Sequence, residues 1–200
     1  MRDCIFTGHC TEKVCDKACP IYVQVSYLLE RNNISSNSNV FTKTGKPIQL
    51  CTKILDKFEG SLAVIENDNV SSTSDLFAYC AICQNWYGSK LNCTVYSLNF
   101  SKYLDMTKNS WNVSTVGDSL EYMKIWSESS KVLVINSLDF VRFKDFECQT
   151  LLNLIQSRQH QKRTTIVILN KVSELVGDGI FFDKLKKILA KAVVNYDNID

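Results

Sequence analysis

Residues Gly60 to Trp86 read GSLAVIENDNVSSTSDLFAYCAICQNW, and the fold turns on this stretch. The apolar run Leu62, Ala63, Val64, Ile65 reads as a buried strand. A polar turn follows from Glu66 to Ser74, and an apolar-periodic segment from Asp75 to Trp86 reads as a helix. Strand, polar loop and helix are the setting of a phosphate-binding loop, G-x-x-x-x-G-K-[ST]. Laid on this loop, the pattern puts Glu66 and Ser71 at the glycines, Ser72 at the lysine and Thr73 at the hydroxyl. Only the hydroxyl survives. The glycines let backbone N–H groups curl around phosphate oxygens, and the lysine reaches the β- and γ-phosphates. Glu66 sets a carboxylate beside a polyanion, and Ser72 supplies no cation. The loop as written predicts neither nucleotide hydrolysis nor tightly bound ATP.

Composition narrows the class. Two hundred residues at 45% hydrophobic fit one globular domain with a small appendage. A net charge of +2 is too near neutral to point to nucleic acid or membrane by itself. No run approaches the length of a membrane span, and the N-terminus MRDCIFTGHC lacks an apolar secretion segment, so a cytoplasmic location is expected.

Four of the nine cysteines fall in the first twenty residues: Cys4, Cys10, Cys15 and Cys19, with Pro20 directly after. In a reducing compartment such crowding argues for metal rather than disulfides. Four thiolates can close a tetrahedral zinc site that contributes folding energy outright. The final C-x3-C-P also leaves an iron–sulfur cluster open. His9 is read as a bystander, because the cysteines complete the set. Cys51, Cys93, Cys148 and the Cys80–Cys83 pair are read as core thiols.

The remainder divides simply. Residues 1–34 form the cysteine-rich head and a helix over Ile21–Asn33; Ser35–Pro47 is a polar stretch with Gly45 and Pro47, giving a linker over 35–48. Residues 49–200 carry the alternation. A short helix over Leu50–Phe58 leads to the strand at Leu62, and a second strand over Asn92–Leu98 ends near Asn99–Asp105. A helix over Trp111–Trp126, a strand over Lys131–Asn136, a helix over Phe146–Arg158, a strand over Thr164–Asn170 and a helix over Phe182–Val194 complete it. Apolar strands alternating with helices predict right-handed βαβ units and a parallel, three-layer α/β core.

From Gly60 onward the order of parts resembles the DnaC/IstB-type helicase loaders of the AAA+ ATPases. The resemblance implies a P-loop-type, RecA-like sheet. It covers roughly three-quarters of the chain. In that family an apolar strand ends in two acidic residues that hold Mg²⁺; here Val132–Ile135 runs into Asn136 and Ser137, with Asp139 displaced. The next strand of the family ends in a residue that senses the γ-phosphate, and Asn170 occupies that place. Arg158 resembles an arginine found near the end of the intervening helix. The family's later trans-acting arginine would fall near VGDGIFFDKLKKI, which contains none. The head, CDKACPIYVQVSYLLE, resembles the start of DnaC-like proteins from Gram-positive phages and mobile elements.

The resemblance therefore implies a pseudo-ATPase of loader type, acting in replication of a phage or mobile element. Its partner would be a replicative helicase or an AAA+ ATPase paralogue, docked through the metal-bound head. A second reading is a single-stranded-DNA-binding accessory module. Its cations would be Lys162, Arg163, Lys184, Lys187 and Lys191, which otherwise form a solvated face. Phe181, Phe182 and Tyr103 are read as core or loop anchors, and His160 as solvated.

Overall fold

The computed structural model describes residues 46–89, 95–110 and 117–194, together with Tyr27, Glu30, Asn32 and Ile34. Cys4, Cys10, Cys15 and Cys19 lie outside the described residues, as do Cys93 and most of the helix expected over Ile21–Asn33.

The chain runs α1 (Lys46–Lys57), β1 (Leu62–Glu66), α2 (Val70–Ser89), β2 (Val95–Asn99), α3 (Phe100–Asn109), α4 (Gly117–Ser129) and β3 (Val132–Asn136). It continues with β4 (Arg142–Phe143), α5 (Asp145–His160), β5 (Thr164–Leu169), β6 (Val176–Gly177) and α6 (Ile180–Lys191). Short 3-10 turns at Leu138–Phe140 and Val172–Glu174 follow β3 and β5.

Four strands form one parallel sheet in the order β1-β5-β3-β2. Beyond β1 a fifth position is started: the Val64 N–H donates to the Ala192 carbonyl at 2.8 Å, and the Val194 N–H donates back to the Val64 carbonyl at 2.9 Å. The chain leaving α6 thus begins to pair parallel with β1. The sequence pattern predicts a helix through Val194; the helix ends at Lys191, because the backbone beyond it bonds to the sheet instead.

Alternation within each strand explains the layering. Val64, Leu98, Leu133, Ile135, Val167 and Leu169 face α3, α4, α5 and α6. Their neighbours Ala63, Ile65, Val134, Ile166 and Ile168 face α1 and α2. Both faces are covered, so the strands read as continuous apolar runs rather than as alternating ones. The middle of helix α2, residues 76–82, is buried on every side, with Phe77, Ala78 and Ala81 fully so, because α1 covers its outer side. Cys51, Cys80 and Cys148 are buried thiols, and burial raises the Cys148 thiol to about 11.

Two further elements depart from the sequence expectation. The segment after β2 is helix α3, not the tail of a strand: Asn99 caps it by accepting from the Lys102 N–H at 2.9 Å, and Phe100, Tyr103 and Leu104 bury one face. Helix α2 begins at Val70 rather than at Asp75, so the loop after β1 is only Asn67–Asn69.

Candidate functional site at the carboxyl edge of the sheet

In open parallel sheets, ligands bind outside the carboxyl ends of the strands, where helices on the two sides diverge. Here α2 leaves β1 on one face while α5 and α6 leave β3 and β5 on the other. The edge brings together Glu66 at the end of β1, Asn136 and Ser137 at the end of β3, Asn170 after β5, and the first turn of α2. Residues far apart in sequence therefore meet at one locus.

The first turn of α2 is capped from within. The Thr73 N–H donates to the Asn69 carbonyl at 3.0 Å, and the Ser72 N–H points to Asn69 Oδ1 at 3.4 Å. Asn67 Oδ1 accepts from the Asn69 N–H at 2.8 Å. Helix N-termini attract anions through unpaired N–H groups. Here asparagine side chains already fill part of that role, which is the local reason the helix starts at Val70.

The strand ends are tied to each other. Asn136 Nδ2 donates to Ser74 Oγ at 2.7 Å, and Ser137 Oγ donates to Asn136 Oδ1 at 3.0 Å. Glu66 Oε1 accepts from the Val172 N–H at 2.7 Å. Asp139 Oδ1 accepts from the Asn170 N–H at 3.1 Å. Ser137 holds a left-handed backbone conformation, φ 63°, where a non-glycine residue is uncommon. In a working P-loop site the loop hydroxyl and the acid at the end of the neighbouring strand hold Mg²⁺ together. The hydroxyl that meets the end of β3 here is Ser74, one residue beyond Thr73, and Thr73 is buried in the helix. Ser71 is exposed on the first turn.

The groups gathered at this edge are the Glu66 carboxylate, the Asn136 amide, the Ser74 and Ser137 hydroxyls, and a first helical turn whose Ser72 and Thr73 N–H groups bond to Asn69. Sequence reading had no signal for Ser74, because its partner is 62 residues away.

Arg158 lies at the other end of the sheet. Its guanidinium is fully buried and donates to the carbonyls of Ser127 (2.8 Å), Ser130 (3.0 Å) and Thr164 (2.6 Å) and to Thr165 Oγ1 (2.9 Å). These groups precede β3 and open β5, so the arginine pins the amino edge and is remote from the candidate site. Burial without a carboxylate partner, with Arg163 nearby, lowers its pKa to about 9.

The cations singled out in the sequence separate into two groups. Lys162, with φ 52°, and Arg163 sit in the turn before β5, where Arg163 Nη1 donates to the Glu128 carbonyl. Lys184, Lys187 and Lys191 are exposed along one stripe of α6. Lys186 turns inward to the Ser173 carbonyl at 2.9 Å. Tyr103 and Phe182 are buried and Phe181 half-buried, while His160 is exposed. Among the described residues there is no cluster of three metal-ligating side chains, and no helix is long and apolar enough to cross a membrane.

Solved structures share this architecture. A replication initiator DnaA bound to AMPPCP and single-stranded DNA aligns over 80% of this chain and 50% of its own, with TM-score 0.58 and 10% identity. AMPPCP-bound DnaA from Aquifex aeolicus aligns over 80% and 50%, with TM-score 0.56 and 8% identity. A DnaC helicase loader aligns over 80% of this chain and 98% of its own, with TM-score 0.50 and 14% identity. At such identities the likeness is one of fold alone: a P-loop-type α/β domain built on a parallel sheet. The chain spans about half the length of the DnaA chains it matches. No protein-family model and no curated protein matches its sequence.

Proposed function

We propose that this protein is a non-hydrolysing, helicase-loader-like accessory protein of DNA replication, a pseudo-ATPase that acts by binding. The observation that carries the reading is the cross-bonded carboxyl edge. Ser74, Asn136, Glu66 and Asp139 are satisfied by protein partners where a working site would offer groups to nucleotide and Mg²⁺. The fold shared with DnaA and with a DnaC helicase loader supports a place in replication. The partner is a replicative helicase or an AAA+ ATPase paralogue, in a phage or mobile element. Zinc, or alternatively an iron–sulfur cluster, on Cys4, Cys10, Cys15 and Cys19 builds the docking head.

A protein that cannot cycle on ATP holds one state, so its partner binding is independent of nucleotide. Light scattering on the purified protein mixed with the replicative helicase tests this, without and then with Mg-ATP. The expected result is one complex of unchanged stoichiometry in both. Saturable Mg-ATP binding in the micromolar range, or turnover by the unaltered protein, overturns the reading. Neither Ser72→Lys nor Thr73→Lys should restore turnover, because Asn136 and Ser137 replace the acids.

A further inference from the structure

In the sheet order β1-β5-β3-β2, strand β2 stands outermost, and helices α3 and α4 pack on it and on each other. The three elements leave a groove of about 480 Å³ between them, within the size range of small-molecule sites. Helical spacing builds its walls: Met106 lies one turn beyond Lys102 on α3, and Tyr122 and Met123 share one face of α4. Tyr96 of β2 meets the Tyr122 ring edge-on, with centroids 6.5 Å apart, and Tyr122 leans on Trp126 at 5.9 Å. The wall of rings and thioethers is thus braced from behind, while Tyr122 still exposes 44% of its surface. The donors are of another kind. Asn99 spends its Oδ1 on the Lys102 N–H at 2.9 Å, which leaves the Nδ2 group to donate. The Lys102 side chain is exposed, and among the described residues no ion pair engages it. Every other lining group is uncharged, so the groove offers one positive charge beside an aromatic and thioether wall.

We propose that this groove binds a small planar aromatic molecule carrying a single carboxylate. The ring packs against Tyr122 and the Met106 and Met123 thioethers, partners that favour aromatic faces and edges. The carboxylate is taken by the Lys102 ammonium and the Asn99 amide through charge-assisted hydrogen bonds. One lysine with no second cation beside it matches one negative charge rather than a polyanion. The inference does not rest on the loader reading: a small molecule can bind here whether or not a helicase complex forms, and the reverse.

Isothermal titration calorimetry on the full chain tests the proposal, with indoleacetate and naphthoate as probes and their neutral amides as controls. Saturable binding of at least one acid is expected, with its amide about tenfold weaker, the worth of one charge-assisted contact. Lys102→Gln keeps the backbone N–H that Asn99 accepts from. It should lower affinity for the acid about tenfold and leave the amide unchanged. Tyr122→Ala should weaken acid and amide alike, because both use the ring. Lys124→Gln, at an exposed α4 lysine outside the groove, should change neither. Circular dichroism melts of the variants separate lost contacts from misfolding, and the acid-to-amide ratio in Lys102→Gln is insensitive to a partly unfolded sample. No saturable binding of either acid by the unaltered protein overturns the proposal. So does equal affinity for acid and amide, or a Lys102→Gln variant that binds the acid as tightly as the parent. A peptide ending in tryptophan that binds far more tightly than the free acids reassigns the groove to a polypeptide C-terminus. Displacement of the probe by an oligothymidine strand at lower concentration reassigns it to nucleic acid. Either result also overturns the small-molecule assignment.

Discussion

Replacing Arg158 with methionine isolates what the buried guanidinium does. Methionine keeps most of the length and apolar stem but removes every donor. Three backbone carbonyls, those of Ser127, Ser130 and Thr164, then lose their partners at 2.8, 3.0 and 2.6 Å. A buried acceptor left unpaired costs about 1–3 kcal/mol, so the three together cost roughly 3–9 kcal/mol before relaxation. Against this stands the relief of burying a cation that has no carboxylate beside it, an effect of several kcal/mol in the opposite direction. The net expectation is a destabilisation of about 3 kcal/mol. For a domain of this size that lowers Tm by about 6–12 °C. Urea unfolding and thermal circular dichroism of both proteins measure it. Arg158→Lys should also be destabilising, since one ammonium cannot span carbonyls on both sides of the β3–β5 pair. A methionine variant as stable as the parent would refute the reasoning: the desolvation cost would outweigh the hydrogen bonds. Loss of partner binding with an unchanged melt would instead make Arg158 a functional residue.

Other outcomes follow from local geometry. Burial raises the Glu147 carboxyl, but the Lys108 ammonium and the backbone N–H groups of Glu147 and Lys144 outweigh it, so its pKa lies below the ordinary value. A depressed folded pKa gives stability that is present above the unfolded pKa and lost as pH falls through the folded one. Glu147→Gln should therefore cost stability at pH 7, by about 1–3 kcal/mol, and converge with the parent at low pH. Parallel urea midpoints at both ends of the range would contradict this. At Gly177 an added Cβ would lie 2.5 Å from Phe182 Cδ2 and 2.6 Å from the Phe143 carbonyl oxygen. Gly177→Ala should lower stability by about 1–3 kcal/mol through overpacking, read as a drop in Tm; an unchanged Tm would show that the β4–β6 ribbon moves freely.

Legibility followed the range of the forces involved. The runs at Leu62–Ile65, Val132–Ile135 and Thr164–Leu169 are strands in sequence and structure alike, because burial on both faces leaves only the β-branched Thr164 and Thr165 as polar positions. The α5 segment was equally plain. Helix α3 was not: in NFSKYLDMTKN its polar residues outnumber the apolar ones, and only the Asn99 cap with Phe100, Tyr103 and Leu104 packed inward makes it a helix. The start of α2 was hidden for a related reason. Val70–Ser74 has little apolar periodicity, and Asn69 and the Ser74–Asn136 bond hold it helical.

The sequence by itself determined the alternation of strands and helices, the identity of the buried apolar runs and the uncharged side chains at Ser72, Asn136 and Ser137. These depend on residue type and local period, which a single chain displays directly. Only the tertiary structure decided that Ser74 rather than Thr73 meets β3, that Glu66 closes on a backbone N–H 106 residues away, and that Arg158 braces the opposite edge. Those contacts arise when the sheet order β1-β5-β3-β2 brings distant strand ends together. A hydrogen bond made across such a distance leaves no periodic trace in the residues that form it.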